Sequence, residues 1–208
     1  MSKLTIYNEE EERYELVEEP SPSYTYSYAD YLEWKFKERL ELINGHIYKL
    51  SAPSTKHQQV TGKLFVKIYN HFQGYKTCKV FVSPFDVRLP RRNKTDDKEI
   101  TTVVQPDVCV VCDETKIDAR GCCGAPDLVI EVLSPGNSSH EIRTKYNLYE
   151  EAAVREYWLI NPEEENLLVY LLNEEGKFVG AKVYAAGDTV TLAIAQGITI
   201  DVADIFQY

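Results

Sequence analysis

The chain has 208 residues with 44% hydrophobic and 12% aromatic content, enough for one sizeable core and short for two full domains. Its formal charge of −10 excludes a protein that grips nucleic acid over its whole surface, because phosphate binding needs positive potential. No apolar run is long enough to span a bilayer, and the start MSKLTIYNEEEER lacks the basic opening and apolar stretch of a secretory signal, so a cytoplasmic location is expected.

The acidity is concentrated in two places. Residues 1 to 19 hold seven Glu against Lys3 and Arg13, and 163 to 175 hold five Glu and no base. Residues 20 to 162 carry 18 acids against 19 bases, so the part that bears the chemistry is nearly neutral. Residues 1–27 read as an acidic N-terminal arm without periodicity, followed by one domain over 28–208.

In chain order, Tyr28 to Lys37 predicts a short helix. Glu41-Leu42-Ile43 and His46-Ile47-Tyr48 flank Asn44-Gly45, a pair suited to a type I′ turn, and predict a β-hairpin. Ser54 or Thr55 caps a helix to about Phe72, with Val60, Leu64, Ile68 and Phe72 as its apolar stripe. Lys79 to Ser83 and Phe85 to Leu89 read as strands, and RRNKTDDKE after them as an exposed loop whose Arg91, Arg92 and Lys94 are more readily solvated than bound to phosphate. Two runs dense in β-branched residues follow, Gln105 to Val111 and Pro126 to Leu133, as expected of central strands covered on both faces. A helix of about Ser138 to Ala152 and strands at Tyr157 to Ile160, Leu167 to Leu172 and Phe178 to Tyr184 complete an alternation of α and β elements.

Five cysteines, an odd count, fit a reducing compartment better than a disulfide framework. Cys109 and Cys112 spell C-x-x-C, with Cys122 and Cys123 beyond. On a strand, positions three apart point to opposite faces, so small buried hydrophobes are preferred to zinc ligands.

Asp107 and Glu131 stand inside apolar strands, where an unpaired carboxylate is costly. If the strands are neighbours, the two charges repel by roughly 4 kcal/mol at about 4 Å and an effective dielectric of about 20. A shared proton, a basic partner or a divalent cation relieves this, and hard oxygen donors favour Mg²⁺ or Mn²⁺. Lys145, on the helix after the Glu131 strand and in register with Glu141 and Tyr149, is the basic partner expected. Carboxylates, cation and lysine together suit phosphodiester hydrolysis. Asp127 serves equally as a third acid or as a turn residue after Pro126. Tyr157-Trp158 is expected in the core.

Pro106-Asp107, then Glu131 on a later strand, then a basic residue, resembles the PD-(D/E)XK restriction-endonuclease-like superfamily. Glu41-Leu42-Ile43-Asn44-Gly45, Ser83 to Leu89, Pro106-Asp107-Val108, Pro126 to Pro135, Lys145 to Tyr149 and Glu156-Tyr157-Trp158, in that order, resemble its Uma-type bacterial branch over roughly residues 28 to 172. The resemblance implies an α/β (α+β) fold with a mixed sheet flanked by helices, metal held by Asp107 and Glu131, and DNA as substrate. The superfamily lysine belongs two residues after the acid, where Leu133 stands, so Lys145 must take the role. Glu41 and His57 match positions of the pattern, Glu41 for a second metal and His57 for a phosphate, against capping or exposed roles for each. A homodimer is expected because nucleases of this general type often work as dimers, so that two strands can be cut. The competing readings are an inactive nuclease-fold binding or assembly module and a phosphoesterase of small nucleotides.

Overall fold

A computed structural model describes residues 3–8, 13–18, 24–74, 78–91, 94–195 and 197–207. In chain order the elements begin with β1 (Lys3–Asn8), β2 (Arg13–Glu18), α1 (Tyr28–Glu33), β3 (Leu40–Ile43), β4 (His46–Lys49) and α2 (Thr55–Gln73). Then come β5 (Lys79–Val82), β6 (Val87–Arg88), β7 (Val103–Val104), β8 (Val108–Val111), β9 (Ile117–Asp118), β10 (Gly121–Cys123) and β11 (Leu128–Val132). The chain closes with α3 (Ser139–Glu151), β12 (Glu156–Asn161), β13 (Asn166–Leu172), β14 (Phe178–Ala185), β15 (Thr189–Thr191), β16 (Thr199–Asp201) and α4 (Val202–Phe206). These divide into two units, residues 1–52 with 88–104 and residues 53–87 with 105–208.

In the first unit β1 and β2 pair antiparallel, where the sequence pattern carries no strand signal. The N–H and hydroxyl of Thr5 donate to Glu38 at 2.9 and 2.8 Å. Desolvation pushes the Glu38 carboxyl up, but these bonds and Lys49 outweigh it and bring its pKa down to about 2. Ser27 and Asp30 form a capping box for α1, which ends at Glu33 rather than Lys37. The backbone turns extended at Trp34, whose ring packs against Tyr26 and Tyr31. The expected hairpin is present as β3 and β4, with Asn44 at φ 53° and Gly45 at φ 80°. A Cβ on Gly45 would come within 2.2 Å of Thr25 Cγ2, so glycine is required there twice over. In the polar loop Arg91 donates to Asn44 and Lys94 to Glu99, whereas Arg92 lies outside the described residues.

The second unit is built on a six-stranded sheet of order β14-β13-β12-β11-β8-β5. Only β11 and β12 run parallel; the other neighbours are antiparallel, so the sheet is mixed as expected. The two apolar runs singled out in the sequence, β8 and β11, sit inside this sheet and are buried at every position. Alternation sends Leu128, Ile130 and Val132 into a core shared with the α2 stripe of Val60, Leu64, Ile68 and Phe72. Trp158 and residues of α4 join that core, and Glu131 points to the other face. Strands β9, β10, β15 and β16 and helix α4 have no clear signal in the sequence, because strands of three residues or fewer and a helix of five are too short to show a period. The second expected strand, Phe85 to Leu89, contracts to the two residues of β6.

One expectation is overturned. Cys78 and Cys112 form a disulfide, so these two are not the reduced, isolated thiols that the odd count suggested. The reason is the β5–β8 register. Lys79 pairs with Val111, and one step further Cys78 faces Cys112. Cys109, Cys122 and Cys123 form no disulfide, and Cys109 is buried as the small-hydrophobe reading expects.

Candidate functional site

Asp107 lies one residue before β8, and Glu131 lies within β11. The ladder between these strands ends with Ile130 opposite Val108, so its next step sets Glu131 opposite Asp107. Directly opposed residues of an antiparallel pair share a face of the sheet. The Val132 N–H donates to Asp107 Oδ2 at 2.8 Å, which ties the Asp107 side chain to the strand that carries Glu131. Ser83 N–H donates to the Asp107 carbonyl at 3.1 Å and continues the β5–β8 ladder past its last pair.

Helix α3 supplies the donors for Glu131. Ser138 caps it by accepting from the Glu141 N–H, and the Glu141 carboxylate returns to the Ser138 N–H at 2.7 Å. Glu141 is thereby absorbed in the cap, not in the site. Lys145 and Tyr149, four residues apart, rise from one helix face. The Lys145 ammonium donates to Glu131 Oε1 at 2.8 Å, and the Tyr149 hydroxyl donates to the same oxygen at 2.5 Å. The side chains of Glu131 and Lys145 are 11% and 19% exposed, so this ion pair is largely withdrawn from water.

Helix α2 supplies the partner for Asp107. Ser54 caps the helix and accepts from the His57 N–H at 3.2 Å, which fixes His57 in the first turn. His57 Nε2 lies 3.2 Å from Asp107 Oδ2, and its Nδ1 lies 3.4 Å from the Thr61 hydroxyl one turn on. Burial disfavours the charged imidazole. The hydrogen bond to Asp107, the charges of Asp107 and Glu131 and the Val132 backbone outweigh it, and the His57 pKa is raised above 6.5. That one imidazole feels both carboxylates places them in a common electrostatic neighbourhood.

Asp107, Glu131, Lys145 and His57 thus come together in the second unit. Glu41 belongs to the first unit, buried on β3. Asp127 is not a member of the cluster: its Oδ2 accepts from the Cys112 N–H at 2.8 Å and its Oδ1 from Arg155 at 3.1 Å. Tyr157 and Trp158 are buried in the core, as the pattern predicts. Glu156 is fully buried too. It accepts from the Trp158 indole at 2.7 Å and from the N–H groups of Ala193 and Ile194 at 2.8 and 3.0 Å. Tyr149, which the sequence placed only in register with Lys145, joins this cluster as a donor to Glu131.

The donor set fits a hard divalent cation. Two carboxylates from adjacent strands share one face, and each has one oxygen held by two donors. Among the described residues there is no group of three or more His, Cys, Asp or Glu with metal-holding geometry, so a cation held by these two carboxylates would draw its further ligands from solvent or substrate. No described helix is long and apolar enough to cross a membrane.

Comparison with known proteins agrees with this architecture. An uncharacterised protein of Synechocystis sp. is 26% identical over 177 residues, covering 83% of this chain and 88% of its own length. A crystal structure from Anabaena variabilis, of "a putative nuclease belonging to DUF820", superposes with a TM-score of 0.69 at 19% identity. The match covers 87% of this chain and 97% of that one, and shows a shared nuclease-like fold. A family model, Uma2, described as "Putative restriction endonuclease", matches residues 28–203. The chain therefore belongs to the Uma2 family.

Proposed function

We propose that the protein is a metal-dependent endonuclease that hydrolyses DNA phosphodiester bonds, with Asp107 and Glu131 as ligands of Mg²⁺ or Mn²⁺. The observation that carries this reading is the meeting of Asp107 and Glu131 across the β8–β11 pair with Lys145 at 2.8 Å from Glu131. Membership of a family described as "Putative restriction endonuclease" supports it.

When bound, the cation supplies Lewis-acid polarisation of a phosphoryl oxygen and acidifies a water. The remaining work falls to side chains. Asp107 is held by the Val132 N–H and His57, and Glu131 by Lys145 and Tyr149, so both carboxylates are oriented before any substrate arrives. Lys145 carries the role of the missing motif lysine: its ammonium, reaching from α3 instead of from position 133, orients the attacking water or offsets charge growing on the phosphate. His57, charged when its raised pKa exceeds the ambient pH, faces the same carboxylates and contributes a second positive group for a phosphate. A homodimer is part of this reading, and Leu171, Val179 and Val183 on β13 and β14 offer exposed apolar surface for association.

Incubation of the purified chain with supercoiled plasmid and Mg²⁺ or Mn²⁺ tests the proposal. Nicking that EDTA abolishes and that Glu131→Ala lacks is expected. Absence of nicking by the wild-type chain, or equal nicking by Glu131→Ala, favours a nuclease-fold binding module instead.

A further inference from the structure

One oxygen of Glu131, Oε1, accepts from two very different donors. Lys145 brings a charge on a flexible four-carbon stem, and its side chain is 19% exposed. Tyr149 brings a neutral hydroxyl on a fully buried ring, packed 5.1 Å from the ring of Tyr157. Tyr157 in turn stacks against Tyr170 and Phe178. The phenol cannot swing without disturbing that stack, whereas the ammonium can. Two donors on Oε1 fix the plane of the carboxylate and with it the direction of the second oxygen, Oε2.

We propose that Tyr149 is the positioning residue of the Glu131 carboxylate. It holds Oε1 in place while Lys145 turns towards the scissile phosphate or the attacking water, so that the carboxylate keeps the orientation in which it would hold a cation. This rests on the metal-dependent reading above. It divides the labour between the two donors: the lysine serves the reaction, and the tyrosine serves the ligand. Partners that orient a metal ligand typically govern 10- to 100-fold in metal affinity or activity.

The test compares Tyr149→Phe, Lys145→Met and Glu131→Ala with the wild-type full chain by calorimetric titration with Mn²⁺, thermal melting and plasmid nicking. Tyr149→Phe, which keeps the ring, is expected to melt within a few degrees of wild type and to bind Mn²⁺ about 10-fold or more weakly. It should recover nicking at high Mn²⁺. Lys145→Met is expected to lose turnover that Mn²⁺ cannot restore. A Tyr149→Phe protein with wild-type Mn²⁺ affinity overturns the assignment, and so does a lowered melting temperature accompanied by unchanged affinity in the cold. Retention of Mn²⁺ binding by Glu131→Ala instead overturns the underlying metal reading, which keeps the two failures apart.

Discussion

Asp107 and Glu131 stand opposite one another one step beyond the last paired residues of β8 and β11, and the N–H that follows Glu131 donates to Asp107. The two acids are 24 positions apart in the chain, yet a single antiparallel ladder sets both their separation and their common face. Any change that slips this register by one residue sends one carboxylate to the far side of the sheet.

Lys145 is expected to matter more for activity than for folding. Lys145→Met leaves Glu131 with the Tyr149 donor, and the pair is partly open to water, so the stability loss should be about 1–2 kcal/mol, below that of a fully buried ion pair. Plasmid nicking should fall at least about 100-fold. Urea midpoints and nicking rates of the variant check this, and a variant that cuts at the wild-type rate removes Lys145 from the reaction.

The pH dependence of stability should carry the mark of His57. Its folded pKa is raised above the unfolded value of 6.5, so protonation favours the native state. This contribution is complete below about pH 6.5 and is lost as pH rises through the folded value. Urea midpoints of the metal-free protein from pH 5.5 to 8.5 should therefore decline in the wild type relative to His57→Gln. Parallel profiles would mean that the bond to Asp107 holds a neutral imidazole.

Glu156 is a structural acid, and its removal should destabilise the fold. Glu156→Ala strips the acceptor from the Trp158 indole and from two backbone N–H groups. The Trp158 indole is a buried donor whose loss of partner costs about 1–3 kcal/mol, while the part-buried N–H groups of Ala193 and Ile194 can turn to water, so a loss of about 1–3 kcal/mol is expected, read from chemical denaturation. Burial raises the Glu156 pKa against the pull of these donors, which is why the carboxylate needs all of them.

The disulfide has a direct chemical test. Alkylation of the denatured, unreduced chain should label three of the five cysteines, and reduction should expose the other two, mapped by mass spectrometry to Cys78 and Cys112. Cys112→Ser should lower stability by about 2–4 kcal/mol, since the bond closes a loop of 34 residues. Labelling of all five without reductant would leave the β5–β8 edge held by hydrogen bonds alone.

Local chemistry wrote much of this protein into its sequence. Asn44-Gly45 demanded positive φ at both positions and made the hairpin legible. The stripe from Val60 to Phe72 made α2 legible, and the unbroken β-branched runs identified β8 and β11 as strands covered on both faces. Within β11, Glu131 was conspicuous because a lone carboxylate among apolar residues requires a partner. The spacing of Lys145 from Tyr149 already put both on one helix face. What each side chain meets was decided only by tertiary structure, because hydrogen-bond partners depend on which strands become neighbours and in which register. Sequence alone did not show that His57 would reach Asp107, that Tyr149 would share an oxygen with Lys145, or that Asp127 would turn to Arg155 and Cys112. Nor could it pair Cys78 with Cys112, since two thiols 34 residues apart become neighbours only after β5 has docked on β8. Periodicity reports which face a residue takes, and long-range pairing decides what stands across from it.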